Sequence, residues 1–223
     1  DYNTYVGYNA NQHNTGHSYI TTTGGQARGT YESVAVGYNA MHSAEQYSNH
    51  NVAIGTAAGY DLDGGDFCVF VGYMSGYSAG TGSSNVGVGR DSLYNLSSGG
   101  SNVGVGTYAL KSCTSGDNNC AVGNYAGEDY TTGSNNTFLG SYAGGNTFSS
   151  YTGSNNTGIG YSATPSSTTV SNEITLGDSN ITSLRCQVTS ITSLSDERDK
   201  TAIEDLDLGL DFIKAMRPVK FAW

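Results

Sequence analysis

Residues 83–99 read SSNVGVGRDSLYNLSSG, and residues 100–116 read GSNVGVGTYALKSCTSG. The shared Asn-Val-Gly-Val-Gly motif recurs at a spacing of 17, and the glycine that closes it belongs to a longer series. Gly55, Gly72, Gly89, Gly106, Gly123 and Gly140 follow one another at steps of 17. A step of 20 leads to Gly160, and a further 17 to Gly177. Upstream, Gly37 lies 18 before Gly55 and Gly7 a further 30 before that, with a loop expected around Thr21–Gly29. Self-similarity at a fixed period marks a repeat architecture, in which each unit buries its faces against its neighbours.

Positions around the anchor glycine follow their own rules. One residue before it stands a branched aliphatic: Val36, Ile54, Val71, Val88, Val105, Val122, Leu139, Ile159 or Leu176. Three before it is another in most repeats, as at Val34, Val52, Val69, Val86, Val103 and Ile174. A different set, with Ala or Gly common, lies between them, so the pattern has the period of two that a half-buried strand requires. Four before the glycine is Asn, as at Asn51, Asn85, Asn102, Asn119, Asn136 and Asn156; three after it is a small residue such as Ala58, Ser75 or Ala109. The glycine supplies a conformation, or a close approach, that a Cβ would block. Asn is expected to serve a left-handed turn or to bond its own backbone. Each coil is expected to bury its two aliphatics and an alanine, with identical residues stacked in ladders about 4.8 Å apart.

Composition agrees. The 223 residues include 32 Gly, 17 Tyr and only 2 Pro, and 13% of them are charged, which suits short strands and tight turns. Aromatic content and low charge argue against disorder. A formal net charge of −10 with nine Lys and Arg argues against nucleic acid as a partner, since phosphate binding needs a basic stripe. No apolar run is long enough to insert in a bilayer, and no signal peptide is visible. The chain opens at Asp1, apparently within a repeat, and is expected to be a fragment of a longer protein. Cys68, Cys113, Cys120 and Cys186 have neither CxxC spacing nor a His partner nearby, and are expected to be buried free thiols.

So thin a core does not offset the entropy of ordering the chain, and a threefold assembly of identical chains is the expected remedy. The fold expected is therefore all-β: a trimeric β-solenoid or β-roll of 17-residue glycine-anchored repeats. Asn-Val-Ala-Ile-Gly at 51–55, with Ala58, resembles the head repeats of trimeric autotransporter adhesins, a repeat type also found in phage fibres. The likeness covers residues 33–163, with a longer period than is usual for adhesin heads.

Beyond Gly177 the character changes. The shaft is expected over residues 1–171, and a connector rich in Ile, Thr and Val, reading as two or three strands, over 172–194. From Ser195 onward 12 of 29 residues are charged, against 16 in the preceding 194, which places a boundary near Leu194. Ile203, Leu206, Leu210 and Ile213 are spaced as one face of a helix, Gly209 weakens it, and Pro218 ends it before an alternating Val219–Trp223. This short α-containing segment resembles the opening of the peptidase S74 family, the intramolecular chaperones of phage endosialidases, tail spikes and neck appendages. The resemblance rests on Ser195-Asp196, Arg198, Lys200, Ile203, Gly209-Leu210, Ile213, Pro218-Val219, Phe221 and Trp223.

That resemblance implies a tail-fibre protein of the virion that attaches to a host surface. Its partners would be two further copies of itself, other tail proteins, and a bacterial surface glycan or protein receptor. It further implies a single self-cleavage between Leu194 and Ser195, with Ser195 as nucleophile, Lys200 as its base and Asp196 in support. A serine hydroxyl needs a neighbour to take its proton, and a desolvated lysine can do so. Read from spacing alone, Ser195 is a helix cap and Lys200 a solvated charge. The family's domain is longer than 195–223, so the chain is expected to carry only its opening. Two other readings share the repeats: a bacterial trimeric surface adhesin, and the shaft of a polysaccharide-degrading tailspike whose enzyme lies elsewhere.

Other signals are weaker. Asp61–Asp66 has alternate oxygen ligands but no downstream Glu, and reads as a polar turn rather than a calcium loop. His13 and His17 lie in a setting that is not helical, so no metal and no cofactor are expected. Tyr108, Tyr125 and Tyr142 share the position two after the anchor. Stacked, they would form a ladder that either stiffens the shaft or, if exposed, binds sugars.

Overall fold

A computed structural model describes residues 3–10, 32–43, 48–145 and 150–185. The chain is all-β, a β-solenoid whose coils each contribute one three-residue strand to a single parallel sheet. The strands are β1 (Thr4–Val6), β2 (Val34–Val36), β3 (Val52–Ile54), β4 (Val69–Val71), β5 (Val86–Val88), β6 (Val103–Val105), β7 (Cys120–Val122), β8 (Thr137–Leu139), β9 (Thr157–Ile159) and β10 (Ile174–Leu176). Their order in the sheet is their order in the chain, and the register pairs equivalent residues, such as Val86 with Val103 and Val88 with Val105. The rest of each coil is the crossover that parallel pairing demands. β10 lies past residue 171, so the sheet runs on into the segment read as a connector, and the compact unit it belongs to ends at Thr182.

The anchor glycine is required twice over. Gly89 has φ +129°, and a Cβ there would lie 2.5 Å from the carbonyl oxygen of Gly106 in the next coil. Hence the coils approach closely along this column, and no other residue fits it. A second column, ten residues after the anchor, has the same constraint without the unusual φ. A Cβ on Gly82 would meet the Gly99 oxygen at 2.1 Å, and one on Gly99 the Gly116 oxygen at 2.3 Å.

Left-handed residues shape the turns. Among the described residues twenty-one non-glycine residues have positive φ, and all fall at three repeat positions: five before the anchor, two after it and four after it. At the last two, N–H groups point in opposite directions along the stack. Tyr108 donates back to Arg90 O at 2.9 Å, whereas Leu110 donates forward to Ala126 O at 2.9 Å. A left-handed residue costs about 1–2 kcal/mol, and from Met41 to Asn172 nearly all of these donate an N–H to a neighbouring coil.

The interior corrects one expectation. The strand residue that points inward is the middle one, namely Ala35, Ala53, Phe70, Gly87, Gly104, Ala121, Phe138 and Gly158. The aliphatics on either side of it face outward. The cavity of each coil is narrow, and sizes compensate across it. Phe70 faces Gly76, and Phe138 faces Gly144, where a Cβ would come within 2.4 and 2.6 Å of the rings. Where the strand residue is glycine the order inverts: a Cβ on Gly104 would lie 3.3 Å from Cγ of the buried Leu93. Ala58, Ser75, Ser92, Ala109 and Ala126 complete the wall, and Leu62, Ala79, Leu96, Cys113 and Tyr130 fill a buried column seven after the anchor.

The Asn column also differs from expectation. The left-handed residue is the one before it, such as His50, Ser101 or Asn118. Asn85, Asn102, Asn119 and Asn136 are themselves buried, and they link coils. Asn119 donates its backbone N–H to Asn102 Oδ1 at 2.9 Å, and Asn102 Nδ2 donates to Gly116 O at 2.8 Å. The same pair of bonds recurs one coil on, from Asn136 N–H to Asn119 Oδ1 and from Asn119 Nδ2 to Gly133 O. The Asn column and the second glycine column are thus one hydrogen-bonded unit. Asp66, Ser83, Asp117, Ser134 and Ser154 form a further polar column, each oxygen accepting an N–H from the preceding coil where such bonds occur, as Asp117 does from Gly100 at 2.7 Å.

Candidate assembly and binding surface

The outward strand face presents an apolar surface along the whole described sheet. Its column one before the anchor is aliphatic in all ten strands, from Val6 through Val36, Ile54, Val71, Val88, Val105, Val122, Leu139 and Ile159 to Leu176. Beside it run Val34, Val52, Val69, Val86 and Val103. Ile54 is 41% exposed and Leu139 50% exposed, values that decide the matter, since the chain's own packing leaves such residues half in water. Cys120 stands in this second column, half-buried, against the expectation of a buried thiol. Cys68 and Cys113 are buried and free. Burial raises the Cys68 thiol pKa and pushes that of Cys113 up to about 11, so neither is primed as a nucleophile.

Cys68 occupies an Asn position. Its N–H donates to Asn51 Oδ1 at 2.7 Å, as an Asn there would, and its thiol takes the amide's place by donating to Gly82 O at 3.3 Å.

Two aromatic columns run along the turn that follows each strand. Tyr108, Tyr125 and Tyr142 share one, with successive centroids 4.9 Å apart. Sequence reasoning missed the other, five after the anchor. There His42, Tyr60, Tyr77 and Tyr94 stack at 4.8–5.0 Å within 11° of parallel. Its signal was the same 17-residue step, hidden because Lys111 and Glu128 continue the position in later coils. At the changeover both Arg90 and Lys111 lie over Tyr108, at 5.3 and 4.5 Å from its centroid. Along His42–Tyr94, and between Tyr125 and Tyr142, stacked rings cover one another's faces and offer solvent ring edges and hydroxyls, whereas Tyr108 is tilted 41° from Tyr125. This geometry suits stiffening of the rod.

Among the described residues no three His, Cys, Asp or Glu side chains converge as metal ligands, and no helix is long and apolar enough to cross a membrane. In the Asp61–Asp66 turn, Asp66 Oδ1 accepts the N–H of Asn49 at 2.6 Å. Ser195, Asp196, Lys200 and the helical face Ile203–Ile213 lie outside the described residues, as do His13, His17 and Cys186. Compared with known protein families, curated proteins and solved structures, the chain matches none.

Proposed function

We propose that this chain is the shaft of a trimeric bacteriophage tail fibre that attaches the virion to a bacterial surface, through a glycan or protein receptor. Three copies lie side by side with their outward strand faces turned to one another. The observation that carries the reading is the unbroken aliphatic column over ten strands. Fully burying a Val or Ile side chain is worth about 1.5–3 kcal/mol. Val6, Ile54, Leu139, Ile159 and Leu176 are 41–50% exposed and the other five less so, so covering the column gains on the order of 5 kcal/mol per chain, at the lower end of a small domain's whole stability. Parallel, in-register assembly also brings the same residue of each copy to the same height. The likeness of Ser195–Trp223 to a fibre chaperone adds the phage assignment.

The test is the mass of the full chain in solution. Sedimentation should give three times the 23.2 kDa of one chain. Val88→Lys with Val105→Lys should abolish the threefold mass. Cys120 is a built-in probe: oxidation should cross-link parent chains, and Cys120→Ser should abolish the product. A parent that sediments as a monomer refutes the assembly. The chaperone reading has its own test, a denaturing gel of the full-length protein beside a Ser195→Ala variant. Processing in the parent alone supports cleavage before Ser195, and equal sizes remove it.

A further inference from the structure

The last described coil departs from the repeat in both of its structural columns. Where earlier coils have Asn, it has Glu173. The backbone N–H of Glu173 still donates to Asn156 Oδ1 at 3.0 Å, so the column reaches it. Its carboxylate, however, turns back on its own coil. It accepts the N–H of Ser166 at 2.8 Å, the Ser166 hydroxyl at 2.5 Å and the Thr175 hydroxyl at 3.2 Å. Those bonds hold the carboxyl below the usual range, and a carboxylate has no N–H to hand forward.

The glycine column ends at the same level. From Gly7 to Gly140, a Cβ on each anchor would meet the next anchor's carbonyl oxygen at 2.3–2.5 Å. At Gly160 the nearest atom is instead Gly177 Cα, at 3.0 Å, and Gly177 has φ +74°. Over Gly177, where an eleventh anchor would lie, sits Ile181, with Cγ1 2.4 Å from a Cβ built there. A short turn places it. Asn180 donates its N–H to Asp178 Oδ1 at 3.0 Å and its amide to Oδ2 at 2.7 Å, and Ile181 N–H donates to Asp178 O at 3.2 Å.

We infer that Glu173 and Asp178–Ile181 form a built end cap, which closes the Asn and glycine columns and denies this end of the sheet to any further coil or to a strand of a second copy. An open sheet end is a template for further pairing, and repeat proteins need terminal units that refuse it. A coil laid on this end would strip water from the Glu173 carboxylate without offering the donors that Ser166 and Thr175 supply. It would also have to displace Ile181 from Gly177.

The experiment restores the repeat's own residues in the full chain, as Glu173→Asn with Ile181→Gly. Hydrogen exchange should quicken at least tenfold in β9 and β10 and stay unchanged in β4–β7. Sedimentation at rising concentration should reveal species of twice the parent mass. Ile181→Gly alone, which keeps the Glu173 bonds, should quicken exchange in β10 by a smaller factor. Parent-like exchange in either variant, or a mass that holds at the parent value at every concentration, overturns the cap. Side-by-side assembly multiplies the mass equally in parent and variant, so the two associations are told apart.

Discussion

Replacing Asn102 by Ala tests the inter-coil ladder most directly. Asn102 is fully buried and makes four bonds through its side chain. Its Oδ1 accepts the N–H of Asn119 at 2.9 Å and the side-chain amide of Asn119 at 3.1 Å. Its Nδ2 donates to Gly116 O at 2.8 Å and to Asn85 Oδ1 at 3.2 Å. Truncation strands the buried N–H of Asn119 and leaves the buried C=O of Gly116 with only the long contact from the Cys113 thiol, at 3.7 Å. Each costs about 1–3 kcal/mol when left without a partner. The expected loss is therefore about 4 kcal/mol, a large part of the 5–15 kcal/mol typical of a folded domain. Equilibrium urea denaturation gives the total. Because a solenoid can open locally, native-state hydrogen exchange should be read beside it. Protection should fall most in the coils of β6 and β7 and least in that of β3. A loss below about 1 kcal/mol, or exchange that rises evenly along the stack, would refute the claim that the Asn column binds the coils together.

The converse substitution, Cys68→Asn, completes the column at its one thiol and should stabilise the protein by about 1 kcal/mol per hydrogen bond regained; a lowered urea midpoint would count against it. Gly76→Ala drives a Cβ into the Phe70 ring, so it should destabilise strongly, and Phe70→Ala should relieve part of that cost. A double-mutant cycle should show a coupling above about 1 kcal/mol, and strict additivity would sink the idea of compensating sizes. Burial pushes the Cys113 thiol up to about 11 in the folded chain, from an ordinary value of 9.0. The unfolded chain then loses its proton first, so the stability Cys113 contributes is full below pH 9 and drains away as pH rises towards 11. The slope approaches about 1.4 kcal/mol per pH unit. Cys113→Ala should flatten the urea midpoint's dependence on pH in that window.

The period, the position of every strand and the all-β class could be read from the sequence, because a closed coil of fixed length must return the same residue to the same contact. Gly55 to Gly177 announced that contact by recurring where a Cβ has no room. The second glycine column obeyed the same period, yet was hidden among the other glycines of the turns. The ring column His42–Tyr94 escaped because one position holds rings in some coils and Lys111 or Glu128 in others. Alternation places Val86 and Val88 on one face and Gly87 on the other, but a pattern of period two has no inside or outside of its own. That was decided by how the left-handed turn residues close the coil into a lumen one side chain wide. The lumen admits Gly104 with Leu93, or Phe70 with Gly76, and leaves the valines outside. The role of Asn102 was equally a tertiary matter, since its partners Asn119 and Gly116 become neighbours only when one coil lies on the next.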